Sequence, residues 1–298
     1  MRVTFGTTFR NAAGELARVA EHMAERQRQV TSGRKIHTVS DNPNAALGAV
    51  AERAEMGTVD RYRQTADSAT ARLTVVDTVL ADVIQKIEQA SARLTVVQGS
   101  NVSQTERDAI VAEMAGIRDA IYSSMTTQFR GAYLFAGTDT TTAPYTKLPG
   151  GAVSAYAGDT QTAVLDVDRQ HTVQVTFNGD AIMRGSAAAD LFTTLETLMT
   201  AIAASDATGM AAGAADLAAA HVRVSAAQSR VGTDLASLDD RRAVLDSARR
   251  AADTRRAAYE DANMVEAITG MTQAETAYRA ALGATSKLGQ LSLLDYLR

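Results

Sequence analysis

Leu73, Val76, Leu80, Val83, Ile87, Ala90, Leu94 and Val97 follow one another at alternating steps of three and four residues without a miss. That rhythm puts one narrow apolar line along one face of an α-helix, and a line of that width is buried only against another long helix. The helix carrying it begins at Ser40-Asp41-Asn42-Pro43, where Asn42 or Asp41 can cap free N–H groups and Pro43 is pre-set for the first helical position. Partners are present in the same chain. Ile110, Met114, Ile117 and Ile121 mark a buried face on a segment opened by Ser103 with Glu106 three residues later, the spacing of a capping box. Leu217, Val224, Val231, Leu238 and Leu245 recur every seven residues in a segment from about Met210, with Gly232 a weak point that leaves room for a kink or break.

The two chain ends carry the same kind of stripe. Phe5, Phe9, Ala12, Leu16, Val19 and Met23 step by four and three, and so do Met264, Ile268, Met271, Tyr278 and Leu282, with Glu275 interrupting. Neither stripe can be buried by its own helix, so both ends seek helical partners. The first helix ends at Thr31-Ser32-Gly33, where Gly33 suits a left-handed cap position, and 35–39 reads as a short extended piece.

The middle changes character. Residues 138–185 contain two of the three prolines, many glycines and threonines, and period-two patterns: Ala163, Leu165 and Val167, then Val173, Val175 and Phe177. Asn178-Gly179 is a strong hairpin-turn dipeptide. Ala132 to Gly137 reads as a short buried strand, and 190–204 returns to helix with Leu191, Leu195, Leu198 and Ile202 on one face. The fold class expected is mainly α: a long antiparallel helical bundle or coiled coil made from both chain ends, with a small β-rich inserted domain. The boundaries read are terminal coiled-coil segments at 1–38 and 262–298, poorly ordered in the monomer; a helical rod at 39–143 and 207–261; and the insert with its following helix at 144–206.

Composition narrows the function classes. The chain of 298 residues has a net charge of −4, which gives nucleic acid no reason to bind it. It has no cysteine, which removes thiol catalysis, Cys-zinc sites and disulfides together. No segment is apolar enough to insert in a membrane, and no cleaved secretory signal is visible at the start. His22, His37, His171 and His221 lack the spacing of a metal site; no phosphate loop or G-x-S-x-G elbow exists. Asn101-Val102-Ser103 is better read as a helix-helix turn than as a glycan acceptor. Asp166, Asp168 and Asp180 read as solvent-facing strand and turn residues, and the arginine pairs 241–242, 249–250 and 255–256 as solvated faces with local ion pairs. No catalytic, cofactor-binding or metal-ligating residue is assigned, and an enzyme is not expected.

Three stretches carry a resemblance. Val30-Thr31-Ser32-Gly33-Arg34-Lys35-Ile36 with Ser40-Asp41-Asn42-Pro43-Asn44-Ala45-Ala46 resembles the signature at the first bend of the flagellin superfamily, and Glu260-Asp261-Ala262-Asn263-Met264-Val265-Glu266-Ala267-Ile268 resembles its C-terminal counterpart. Phe129-Arg130-Gly131-Ala132-Tyr133-Leu134-Phe135-Ala136-Gly137 with Pro144-Tyr145 is similar to a run in the hook–filament junction branch of that superfamily, and the tail from Leu291 to Arg298 points the same way. The signature residues are thus Ser32, Gly33, Asp41, Pro43, Tyr133, Phe135, Gly137, Glu260 and Asp261.

The resemblance implies a structural adaptor of the bacterial flagellum, found outside the cell after export by the flagellar type III apparatus without cleavage. It implies a ring of identical subunits, a neighbouring hook-associated protein and flagellin as partners, and an export chaperone on the C-terminal region. It implies no cofactor. Leu16, Val19, Met23, Met264, Ile268, Met271, Tyr278 and Leu282 are the residues expected to pack between subunits. A short filament flagellin is the alternative within the superfamily, and a cytosolic helical scaffold or signalling module the alternative outside it.

Overall fold

The structure, a computed structural model, describes residues 5–99 and 102–296, and of residues 5, 6, 8, 9 and 288–296 only the backbone. The side chains of Phe5 and Phe9, the Ser100-Asn101 turn and the side chains of the Leu291-to-Arg298 tail therefore lie outside the described residues. The elements follow in the order α1 (Phe5–Ser32), α2 (Pro43–Gly99), α3 (Gln104–Met125), β1 (Gln128–Phe129), β2 (Ala132–Tyr133), β3 (Val164–Asp166), β4 (Thr172–Gln174), α4 (Gly179–Met183), α5 (Leu191–Ala204), α6 (Ala207–Glu260) and α7 (Met264–Tyr296). The chain is mainly α, as the periodicities require. It forms two compact units, residues 1–58 with 247–298, and residues 59–246.

The larger unit is built on the line along α2. Leu73, Val76, Leu80, Val83, Ile87, Ala90 and Leu94 are all out of water, and Val97 nearly so. Polar contacts at the edges fix the direction of the partners. As the α2 partner advances from Arg63 to Asp67 to Glu88, the α6 partner retreats from Asp246 to Arg242 to His221, so α6 runs antiparallel to α2. Arg93–Glu113 at 2.7 Å and Asp82–Ser124 at 2.6 Å do the same for α3. Leu217, Val224, Val231 and Leu238 are fully buried along α6, as are Met114 and Ile121 along α3, with Ile110 and Ile117 nearly so. The capping box at Ser103 and Glu106 is formed, with both reciprocal hydrogen bonds. No break occurs at Gly232; α6 is continuous because the packed heptad residues on either side outweigh a cost of about 1 kcal/mol. The arginine pairs differ from the local reading: Arg242 reaches Asp67 and Arg255 reaches Glu52, both on α2, in addition to local pairs such as Arg256–Asp253.

After α3 the chain makes a β1–β2 hairpin that the patterning did not reveal. Arg130 (φ 53) and Gly131 (φ 82) both take the left-handed region, the two-residue turn that matches strand twist. The short buried strand read at Ala132 to Gly137 is half right: β2 holds only Ala132 and Tyr133, and Leu134 to Ala136 continue as buried irregular chain. β3 and β4 pair antiparallel, Leu165 opposite Val173. Asn178-Gly179 makes no hairpin. Asn178 caps α4, its Oδ1 accepting from the N–H groups of Asp180 and Ala181. Asp190 caps α5 in the same manner, and Leu191, Leu195, Leu198 and Ile202 are all buried. The buried residues of the insert are continuous with those of α2, α3 and α6, one cluster running from Ala66 to Leu238.

Leu80 sits in the middle of that cluster. Leu80→Ala is expected to destabilise the larger unit by about 2 to 5 kcal/mol in chemical denaturation, the range for a leucine cavity in a packed core.

Candidate assembly surface

In the smaller unit the two end signatures meet. Helix α1 closes at Gly33, whose φ of 69° suits glycine and whose N–H donates to the Gln29 carbonyl at 2.9 Å. The Gly33 carbonyl accepts from the N–H of Ala262 at 2.9 Å, and the Lys35 N–H donates to the Glu260 carbonyl at 2.7 Å. These bonds flank a bridge between Arg34 and Asp261. Lys35 Nζ also donates to the Ala258 carbonyl at 2.6 Å, a cation on the last turn of α6 where the helix dipole favours one. The Glu260 side chain is buried, with one oxygen 2.5 Å from Arg53 Nη2 and the other 3.5 Å from Arg256 Nη1. Ser32, Gly33, Glu260 and Asp261 are thus one structural feature, more than 220 residues apart in the chain.

The segment 35–39 is bent rather than extended. Asp41 folds it back, Oδ2 accepting from the N–H groups of His37 and Thr38, and Oδ1 from the Thr38 hydroxyl at 2.6 Å. The Thr38 hydroxyl first, then these N–H groups, pull the Asp41 carboxyl down to about 2. Asp41 being engaged, Asn42 caps α2, accepting from the Ala45 N–H at 3.1 Å, and Pro43 takes the first helical position. Asn263 opens α7 in the same manner, accepting from the Val265 N–H.

Beyond this bend α1 packs on α7. Leu16, Val19 and Met23 are half-buried there, as are Met271 and Tyr278. The rest of the expected C-terminal stripe faces out: Met264 is 41% exposed, Ile268 52% and Leu282 43%. The line of α7 that is covered instead is Ala267, Met271, Ala274, Tyr278 and Ala281, stepping four, three, four, three. It was hidden in the sequence because alanine contributes little to a hydrophobic pattern. Alanine also accounts for the result: its small side chain lets helices approach closely, so the alanine line wins the intramolecular seam and larger residues are left outside.

Among the described residues, then, this unit has no core of large side chains. Its fully buried apolar residues, among those described, are Ala49, Ala252, Ala267 and Ala274. The same unit exposes Val39, Leu47, Val50, Met264, Val265, Ile268 and Leu282. An apolar surface of this kind on a unit so poor in internal packing marks a site of association.

Tyr133, Phe135 and Gly137 lie apart, in the larger unit. Phe135 is buried against Phe177, ring centroids 6.4 Å apart, and its carbonyl accepts from the Gly179 N–H and the Tyr156 hydroxyl. Gly137 has φ 74°, its N–H donates to the Phe177 carbonyl, and a Cβ there would lie 2.3 Å from the Asp159 carbonyl oxygen. Only glycine fits. Tyr145 packs edge-on to Phe192 and near Tyr156, with its hydroxyl buried and without a hydrogen-bond partner among the described residues. Burial, with Asp190 and Asp180 nearby, pushes that hydroxyl's ionisation far above its usual range. This run organises the insert and carries no reactive group.

His22 and His37 are exposed, His171 is held by Asp168 at 2.8 Å and His221 lies 3.3 Å from Glu88. Among the described residues no group of three or more metal-ligating side chains occurs, and no helix is long and apolar enough to cross a membrane. Asp168 is a turn residue that accepts from the N–H groups of Gln170 and His171. Arg53 was missed by sequence reasoning, since no local spacing connects it with Glu260, whereas Arg256 makes the local ion pairs expected of it.

Comparison with known proteins bears out the resemblance. Residues 9–140 match the bacterial flagellin N-terminal helical region. Over 155 residues the chain is 26% identical to flagellar hook-associated protein 3 of Escherichia coli K12, covering 52% of this chain and 48% of that protein, and likewise to the Salmonella typhimurium protein. The chain thus aligns with about half the length of these curated relatives. Its fold is similar to that of the crystal structure of FlgL from Xanthomonas campestris (TM-score 0.60, 19% identity, 68% of this chain and 98% of that one). It is similar too to flagellar hook associated protein-3 from Legionella pneumophila (TM-score 0.61, 11% identity, 68% and 96%).

Three outcomes follow from these sites. Gly137→Ala is expected to cost more than about 2 kcal/mol, from positive φ and the Asp159 contact together. Tyr145→Phe is expected to change stability by less than about 1 kcal/mol, in the stabilising direction, since it removes a buried hydroxyl that gains no protein hydrogen bond. Because the Asp41 pKa is lowered on folding, the bend is fully held above the ordinary carboxylate range and loosens only as pH falls toward 2. The Thr38 amide resonance should titrate with that midpoint, and a midpoint near 4 would refute the clamp.

Proposed function

We propose that this chain is a structural subunit of the bacterial flagellum, acting at the junction of hook and filament, and that its work is packing rather than catalysis. Two things support the reading: the likeness to hook-associated protein 3, and the smaller unit with alanines inside and Met264, Ile268 and Leu282 outside. The second observation carries it, because it gives the mechanism. Copies arranged in a ring would cover on each other the apolar face that no single copy covers, with Leu16, Val19 and Met23 on α1 and Met271 and Tyr278 on α7 completing the contact. Each half-exposed large side chain removed from water would contribute on the order of 1 kcal/mol, repeated at every subunit contact. A neighbouring hook-associated protein and flagellin would meet the same face at the two sides of the ring. The terminal segments of the chain would gain order on assembly, since an isolated helix with a narrow apolar stripe is marginal alone.

Before assembly the exposed C-terminal face needs cover, which fits an export chaperone on that region and export of the unfolded chain by the flagellar type III apparatus. The β-rich insert would face outward or contact neighbouring subunits.

Ile268→Glu tests the reading. Since Ile268 is half exposed, the purified variant should keep its helix content and melt within about 0.5 kcal/mol of the parent. In cells lacking the gene it should fail to restore filaments, leaving bare hooks and flagellin shed into the medium. Normal filaments and motility with this variant would overturn the assignment, and filaments persisting in the deletion strain would favour a minor filament flagellin.

A further inference from the structure

The seam between α1 and α7 poses a problem of register. Its covered line on α7 repeats alanine at Ala267, Ala274 and Ala281, one every seven residues, and the two larger residues between them, Met271 and Tyr278, also seven apart, are only half-buried. Such a seam fits about as well after a slip of one heptad as before it. The helices are antiparallel: Gly33 is bonded to Ala262, and further along, a Cβ on Gly270 would lie 3.5 Å from Arg26 Cδ. A slip of one heptad keeps nearly the same face of α7 toward α1 but shifts Ile268 and Leu282 by about 10 Å relative to Leu16, Val19 and Met23, and so changes the apolar surface the end presents.

One feature of the unit has no degeneracy of this kind. Glu260 bonds the bend through its carbonyl (Lys35 N–H) and α2 through its carboxylate (Arg53), while the next residue but one, Ala262, bonds Gly33. The carboxylate is buried, and its partners lie on two different helices, α2 and α6. Moving α7 by a single residue against the bend would break the Ala262–Gly33 bond, while Glu260, held by Arg53 and bonded to Lys35, keeps the end of α6 fixed beside it.

We propose that the Glu260 joint is a register clasp: it fixes the axial position of α7 on α1, which the alanine seam leaves undetermined, and thereby decides how the apolar residues of the two helices are aligned for association. Glu260 and Lys35 are positioning residues in this account; neither touches a partner. Only the consequence for association rests on the assembly reading above; the register itself is a property of the free chain.

The absence of cysteine makes the test direct. Nitroxide labels on cysteines at Gln27 and Ala280, both exposed and offset along the helix pair, report a slip as a change of distance. Pulsed dipolar spectroscopy on the full-length free chain should give one narrow distance. In Glu260→Ala, and separately in Ala262→Pro, which removes the N–H bonded to Gly33, a second population should appear, shifted by roughly 6 to 10 Å, four to seven residues of helical rise. Glu52→Ala, which breaks the neighbouring ion pair to Arg255 without touching the bend, should leave the narrow distance intact. An unchanged narrow distance in both clasp variants, an already broad distance in the parent, or equal broadening in Glu52→Ala would each overturn the proposal. Since no flagellum is involved, these outcomes are independent of whether Ile268→Glu blocks filament growth.

Discussion

The side chains from Leu73 to Val97 on α2 leave water along one unbroken line, and the unit 59–246 is organised around that line. Helices α3 and α6 both run antiparallel to α2, with ion pairs such as Arg63–Asp246 and Arg93–Glu113 at the rims of the seams. The pairs are half exposed, so they set alignment more than stability. The insert adds no separate core. Phe135, Tyr145, Val167, Phe192 and Leu198 extend the same buried cluster, so the segment with the least regular chain is held by the most regular part of the protein.

The smaller unit shows what happens when the side chains along a helical seam shrink. Ala267 and Ala274 are buried where Leu80 and Leu94 would stand in the larger unit, and Ile268, one residue round the helix, is left half exposed. A pair of helices joined in that way has little to hold it alone and a good deal to offer a neighbour. Polar contacts take up the work of definition: Gly33 to Ala262, Lys35 to Glu260, Asp41 to Thr38. They are short and directional, and they concentrate at the bend where both strands of chain leave the helical state.

Much of this was legible in the residues. The line on α2, the heptads of α6, the Ser103–Glu106 box and the left-handed Gly33 follow from local rules that tertiary context had no reason to override. Where a local rule failed, a stronger local partner was available. Asn178 precedes Gly179, which favours a tight turn, yet the side chain caps α4 because the N–H groups of Asp180 and Ala181 need an acceptor. The stripe at Met264, Ile268 and Leu282 was legible as apolar but not as unoccupied, since periodicity tells that a face is apolar and not who covers it.

The sequence by itself determined the long helices, the caps at Asn42 and Ser103, the place of the insert and the resemblance to the flagellin N-terminal helical region, because each depends on residues within a turn or a heptad of one another. Only the tertiary structure decided that Ser32-Gly33 and Glu260-Asp261 form one joint, that Arg53 closes it, and that the line with Ala267, Ala274 and Ala281, rather than Met264, Ile268 and Leu282, faces α1. Those outcomes depend on contacts across more than 200 residues and on how closely two helices can approach, and neither quantity is written in any local spacing.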